Sequence, residues 1–232
     1  MTSQQQQITA ADRIREMADT LLPAEQLPPE AFSLAEAVRD LVEATLMTDV
    51  PAAERAAITA EIEALNQRLG AAVRTDPVLL VRHADGSFEH LTQAGTGRLN
   101  PQAPRLRWLT PEGELAYDAA PHPETGEVMA RCTLTRAHIG PPERAHGGVV
   151  ATILDQVVGF AAAAVGKPGM TAGLDIRYKA ATPLDVPLTV HARYTHSEGR
   201  KHFATGEIRA NGVITASAMG VFIGHPQWSE SQ

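Results

Sequence analysis

The chain has 232 residues, enough for one large domain or a domain with an appendage, and 20 Lys and Arg against 27 Asp and Glu leave a formal net charge of −7. That balance argues against general nucleic-acid binding, which needs a basic surface, but leaves room for a local cation cluster on an anionic ligand. A single cysteine, Cys132, excludes an intramolecular disulfide framework and fits a reducing, cytoplasmic compartment.

The start, Met1-Thr2-Ser3 followed by four glutamines, has neither the basic nor the apolar stretch of a secretion signal. Residues 1–8 are expected to be disordered. Residues 9–75 read as a helical region. Thr9 caps a helix carrying Ile14, Met17, Ala18 and Leu21, which Pro23 closes. Ser33 with Glu36 makes a capping-box pattern before Val38, Leu41, Val42 and Leu46. Pro51 opens a third helix, in which Ile58, Ile62, Leu65, Leu69 and Val73 recur at three- and four-residue steps. This stripe is expected to pack on its own domain, because a coiled-coil seam sustains three or four heptads.

Residues 76–104 read as a connector with one short strand at 78–82, and the Gly- and Pro-containing stretch 95–104 marks a boundary. The main domain is placed at 105–225, with 226–232 as a tail. Strands are expected at 115–119 and 128–135, then a long helix, then strands at 171–180, 188–196, 202–209 and 213–223. Asn211-Gly212 is a strong hairpin signal and Glu198-Gly199 a weaker one, so the last three strands should form an antiparallel meander. One long helix beside a consecutive antiparallel sheet is an α+β architecture.

The long helix, within 144–165, carries the most informative residue. Asp155 is its one acidic group, set among apolar side chains after His146-Gly147-Gly148. At about 100° per residue, Gly148, Ala151, Thr152, Val158, Gly159 and Ala162 share its side, while Val150, Ile153, Val157 and Phe160 face the other way. The small side leaves room for a ligand or a second chain to approach the carboxylate. Three plainer readings stay open at this point: a buried structural Asp, a surface Asp, and a transmembrane helix, in which the Asp alone would cost about 2.5–3.5 kcal/mol. On the following strand, Ala172, Leu174, Ile176 and Tyr178 alternate with Thr171, Gly173, Asp175, Arg177 and Lys179. The second set would start with a hydroxyl and end with two cations about 20 Å away, either an ordinary solvated strand face or a track for an extended ligand with an anionic end.

Gly140-Pro141-Pro142, His146-Gly147-Gly148, Asp155 and Gly159, then the strand from Thr171 to Tyr178 and the run Ser197-Glu198-Gly199-Arg200-Lys201, together resemble the hotdog-fold acyl-CoA thioesterases. Within them the pattern looks most like the PaaI-type branch that includes the human thioesterase superfamily members. The resemblance covers about residues 105–225 and implies a hotdog fold, in which an antiparallel sheet wraps a central helix. It implies hydrolysis of acyl-CoA to a carboxylic acid and CoA, with Asp155 as general base on water or as a nucleophile forming a mixed anhydride. It further implies an oxyanion contact at the helix N-terminus, with Gly148 the first choice and Gly147 and His146 orienting the carbonyl. Thr171 would place the water, reaching the site from the neighbouring protomer, so a homodimer is the minimum active species; association of two dimers stays open. Arg177, Lys179, Arg200 and Lys201 match positions that contact CoA phosphates or adenosine.

No cofactor beyond the CoA of the substrate, no metal and no membrane span are expected. The remaining histidines lack metal spacings, and there is no G-x-S-x-G elbow, P-loop or dinucleotide fingerprint. Ala145 departs from the aliphatic residue common in the family, and Glu143-Arg144 adds charge beside the site. The alternative from another class is a hotdog acyl-CoA-binding or sensing protein that does not hydrolyse, and a hotdog dehydratase is a third reading.

Overall fold

A computed structural model describes residues 21–75, 80–84, 88–95, 97–110, 112–116 and 125–224. The expected helix from Thr9, the tract 1–8 and the tail 226–232 lie outside these residues, apart from Leu21. Leu22–Pro23 (β1) is a strand, so the chain is not helical throughout 9–75.

Helix α1, Pro29–Met47, starts one turn earlier than the Ser33 pattern predicts. Pro28-Pro29 explains it: a proline at the first helical position has its φ preset and lacks an N–H that would be orphaned anyway. Ser33 therefore sits inside the helix, its Oγ donating to the Pro29 carbonyl at 3.4 Å, and no capping box forms. Helix α2, Ala52–Gly70, opens at Pro51 as expected. It buries no residue, and Leu65, Leu69 and Val73 are 48, 53 and 77 % exposed. The expectation that its stripe packs on its own domain is overturned.

The stretch read as a connector is more than that. Leu80–Arg82 (β2) pairs in parallel with β1 and antiparallel with Phe88–His90 (β3). Leu27, Val81 and Leu91 close a small core beneath it, with Phe32 and Leu99 at its margin. The buried Glu89 carboxylate accepts from Arg98 at 3.0 Å and lies 3.1 Å from the His83 ring. Arg39 of α1 donates to the carbonyls of Gly97, Arg98 and Asn100, and Arg105 pairs with Glu36 and Asp40. Polar clamps thus hold α1, whose one buried residue is Ala35.

The main sheet has seven strands. In chain order they are β4 Arg107–Leu109, β5 Leu115–Ala116, β6 Val128–Thr133, β9 Met170–Tyr178, β10 Pro187–Glu198, β11 Lys201–Ala210 and β12 Val213–Ile223. Their spatial order is β5-β4-β6-β10-β11-β12-β9, antiparallel throughout, so the last three strands form the expected meander and β9 lies at an edge. Strand β4 escapes a periodicity reading because it is three residues long, yet Trp108 is 2 % exposed and meets Phe160 edge-on at 4.6 Å. Two short strands, β7 Ile139–Gly140 and β8 Arg144–Ala145, pair separately ahead of helix α3, Gly147–Ala164.

Helix α3 lies across β10, β11 and β12. Val150, Ile153, Leu154, Val157, Val158, Ala161 and Ala162 are buried, so Val158 and Ala162, expected on the open side with Asp155, belong to the core. Gly206 permits the close approach: a Cβ there would meet a Val158 methyl at 2.7 Å. By length and composition α3 could cross a membrane, but it is the core helix around which this sheet packs. Its open stripe runs through Gly148, Ala151, Thr152, Asp155 and Gly159, none of them fully buried.

Candidate active site

The start of α3 is built from residues on three elements. The His146 N–H donates to the His138 carbonyl at 2.8 Å, which hangs the helix entrance from the 3-10 turn Arg136–His138. Gly140 makes the approach possible, since a Cβ there would stand 2.7 Å from the His146 Cα. His146 is the N-cap: its Nδ1 accepts from the Gly148 N–H at 3.0 Å. The Tyr178 hydroxyl donates to the Gly147 carbonyl at 2.9 Å. Gly140, His146, Gly147, Gly148 and Tyr178 line a cleft of about 450 Å³, together with Pro141, Arg144 and Thr182.

This geometry separates the two glycines. The Gly148 amide, first choice for the oxyanion contact, is already engaged by its own cap. The Gly147 N–H donates to no acceptor among the described residues, and it sits at the positive end of the helix dipole. Gly147 is therefore the available donor. Tyr178, set by alternation with Ala172, Leu174 and Ile176, is 56 % exposed and fixes the Gly147 peptide; its position on the strand beside the motif was the one signal of that contact.

Asp155 lies half-buried on the open stripe of α3, and the Thr171 hydroxyl donates to its Oδ1 at 3.0 Å. Both residues belong to one chain, which corrects the expectation that Thr171 reaches Asp155 from a neighbouring protomer. The cause is a register shift in β9. Gly173 faces Val221 and Thr171 faces Phe222, so Ala172 is an extra residue in the strand. The shift turns Thr171 to the helix side, alongside Leu174, Ile176 and Tyr178, whereas Asp175 and Arg177 point to the outer face. The expected track from Thr171 to Arg177 on one face does not exist.

The four proposed CoA-binding cations do not converge within a chain. Arg177 is exposed on the outer face and pairs with Asp175 at 3.0 Å, and Lys179 follows the end of β9. Arg200 and Lys201 stand at the other end of the sheet, with Lys201 opposite Ile223 and Ile223 opposite Met170. At the strand rise the two pairs are separated by about 25 Å. Arg200 Nε donates to the Gly224 carbonyl at 3.1 Å.

Burial pushes the Cys132 thiol up to about 12, which keeps it protonated and unreactive. Among the described residues, no three His, Cys, Asp or Glu side chains gather closely enough to hold a metal ion. Along α3, Asp155 lies eight positions after Gly147, about 12 Å at the helical rise.

Comparison with known proteins bears on the fold and the family. The family profile of the thioesterase superfamily matches residues 143–216, which span the α3 motif and most of the sheet. The crystal structure of a thioesterase superfamily protein, 31 % identical, superposes with a TM-score of 0.71 over 87 % of this chain and 97 % of that one. The acyl-coenzyme A thioesterase THEM4 of Xenopus laevis is 34 % identical over 86 residues, which are 36 % of this chain and 39 % of that protein. THEM4 of Mus musculus is 39 % identical over 71 residues, 31 % of this chain and 30 % of the mouse protein. The chain thus matches well under half the length of these curated relatives. With the α3 motif, the sheet that wraps it and a relative aligned over nearly its whole length, the chain belongs to the thioesterase superfamily and has its hotdog fold.

Proposed function

We propose that the chain is an acyl-CoA thioesterase of a reducing, cytoplasmic compartment, active as a homodimer whose sites combine two protomers. The observation that carries the reading is the hydrogen-bonded Asp155–Thr171 pair, open to approach and about 12 Å along one rigid helix from the free Gly147 N–H. The edge position of β9 supports the dimer, since nine residues of unpaired backbone invite a second strand. Antiparallel pairing of β9 with its copy would set the Thr171 end of one strand beside the Tyr178 end of the other. Asp155 and Thr171 of one protomer would then face Gly147 and Tyr178 of its partner. The same pairing moves Arg177 and Lys179 of one protomer toward the Arg200 and Lys201 end of the other, where CoA phosphates would find both pairs.

The chemistry follows from those positions. The Gly147 N–H receives the oxygen of the thioester carbonyl as charge develops on it. Thr171 occupies Oδ1 of Asp155, which leaves Oδ2 to take a proton from a water. The water oxygen bonds to the carbonyl carbon, the C–S bond breaks, and the thiolate of CoA leaves and takes the proton held by Asp155 as the carboxylic acid departs. Free-thiol release from acyl-CoAs of graded chain length tests the reading. Asp155→Asn should leave CoA binding and the fold intact while kcat falls by about two or more orders of magnitude. Near-normal turnover by a folded Asn variant removes the mechanism, and CoA binding without thiol release by the unaltered protein makes it a non-hydrolytic binder.

A further inference from the structure

Helix α2 is the anomaly of the fold: 19 residues with no buried side chain. In proteins most helical stability comes from packing of an apolar face rather than from intrinsic propensity. Its large apolar residues, Ile58, Ile62, Leu65 and Leu69, form one stripe, and Leu65 and Leu69 are about half exposed. In heptad terms they fall at d, a, d and a. In an antiparallel pair of helices each a residue faces a d residue of the other, and here both layers satisfy one two-fold axis, placed between Glu63 and Ala64. Ile62 then meets Leu65 of a second copy, and Ile58 meets Leu69.

The charges obey the same axis. Glu61 and Arg68 occupy successive g positions, which flank the seam and meet across antiparallel helices. Glu61 of one copy would approach Arg68 of the other, twice by symmetry. Neither residue makes an ion pair among the described residues. A parallel pairing would instead set Glu61 beside polar or like-charged neighbours and lose both contacts.

We propose that α2 is a self-complementary interface that pairs antiparallel with α2 of a second copy of this chain. The interface is separate from the β9 edge and does not depend on the catalytic reading. Its seam is isologous, as a two-fold contact requires.

Disulfide trapping in the full chain tests it, with little background because Cys132, the one native cysteine, is buried. Differently tagged Ile58→Cys and Leu69→Cys chains are co-expressed and oxidised, and each is also oxidised alone. A covalent dimer carrying both tags is expected, with little product from Ile58→Cys alone, whose two thiols would stand about 16 Å apart along the axis. In the same assay Glu61→Arg and Arg68→Glu should each lower the yield severalfold, and the double exchange should restore it. Self-linkage of Ile58→Cys as the main product means a parallel pair and overturns the proposal. Absence of any linked product overturns it too, and assigns the stripe to residues 1–20 or to another protein.

Discussion

Replacing Gly147 by proline removes one hydrogen-bond donor and little else. Gly147 is the first residue of α3, where proline is favoured because that N–H has no partner within the helix. The preceding His146 already has φ −63° and ψ 135°, the region that a following proline demands. The helix, its cap and the buried face of α3 should all persist. Steric cost is confined to the Tyr178 tip, because a Cβ on Gly147 would stand 3.3 Å from its hydroxyl. Gly147→Ala carries that Cβ and keeps the N–H, so the ratio between the two variants isolates the donor. Loss of one oxyanion donor costs about 2.7–4 kcal/mol of barrier, about 10²–10³ in kcat. Thiol release from a saturating acyl-CoA, with thermal melts to establish equal folding, measures the ratio. Equal turnover by the Pro and Ala variants would show that the Gly147 amide does not bind the developing charge.

Three further outcomes are expected. Mixing Asp155→Asn chains with Gly147→Pro chains should recover about a quarter of wild-type turnover, since half the dimers are mixed and each holds one intact site; Asp155→Asn with Thr171→Ala should stay at the parental average, and recovery in the second mixture instead of the first would reverse the assignment of Thr171. Changing Arg200 and Lys201 together to Ala should raise KM for acyl-CoA with kcat little changed, and should matter less for a short thioester without the nucleotide; equal loss on both substrates would make the pair structural. Burial, with Lys167 nearby, lowers the pKa of His202, and burial also lowers that of His138. Each is therefore neutral in the fold where the unfolded chain is already protonated, so unfolding free energy should fall as pH drops below about 6.5. NMR titration of either imidazole at or above that value would contradict it.

The meander was legible because its strands alternate and its turn is explicit: Asn211 and Gly212 both adopt positive φ, 49° and 80°, as a tight hairpin requires. Asp155 was legible as a lone acid among apolar residues. The orientation of Thr171 was not, because one inserted residue leaves no trace in composition yet turns every side chain beyond it to the opposite face. That the Gly148 N–H is engaged while that of Gly147 is free was equally hidden, since it depends on the rotamer of His146. Strand β4 is too short to show a period, and Pro28-Pro29 outranked Ser33 as a helix start.

Arg39 has a consequence for how the chain can be divided. Its guanidinium holds the carbonyls of Gly97, Arg98 and Asn100, and its helix rests against the turn whose His138 carbonyl suspends His146. Structural support for the entrance of α3 therefore begins some hundred residues upstream of it. Trimming the chain to the span that matches the family profile would take away a buttress as well as an appendage, and the shortened protein would carry the right residues on a loosened hinge.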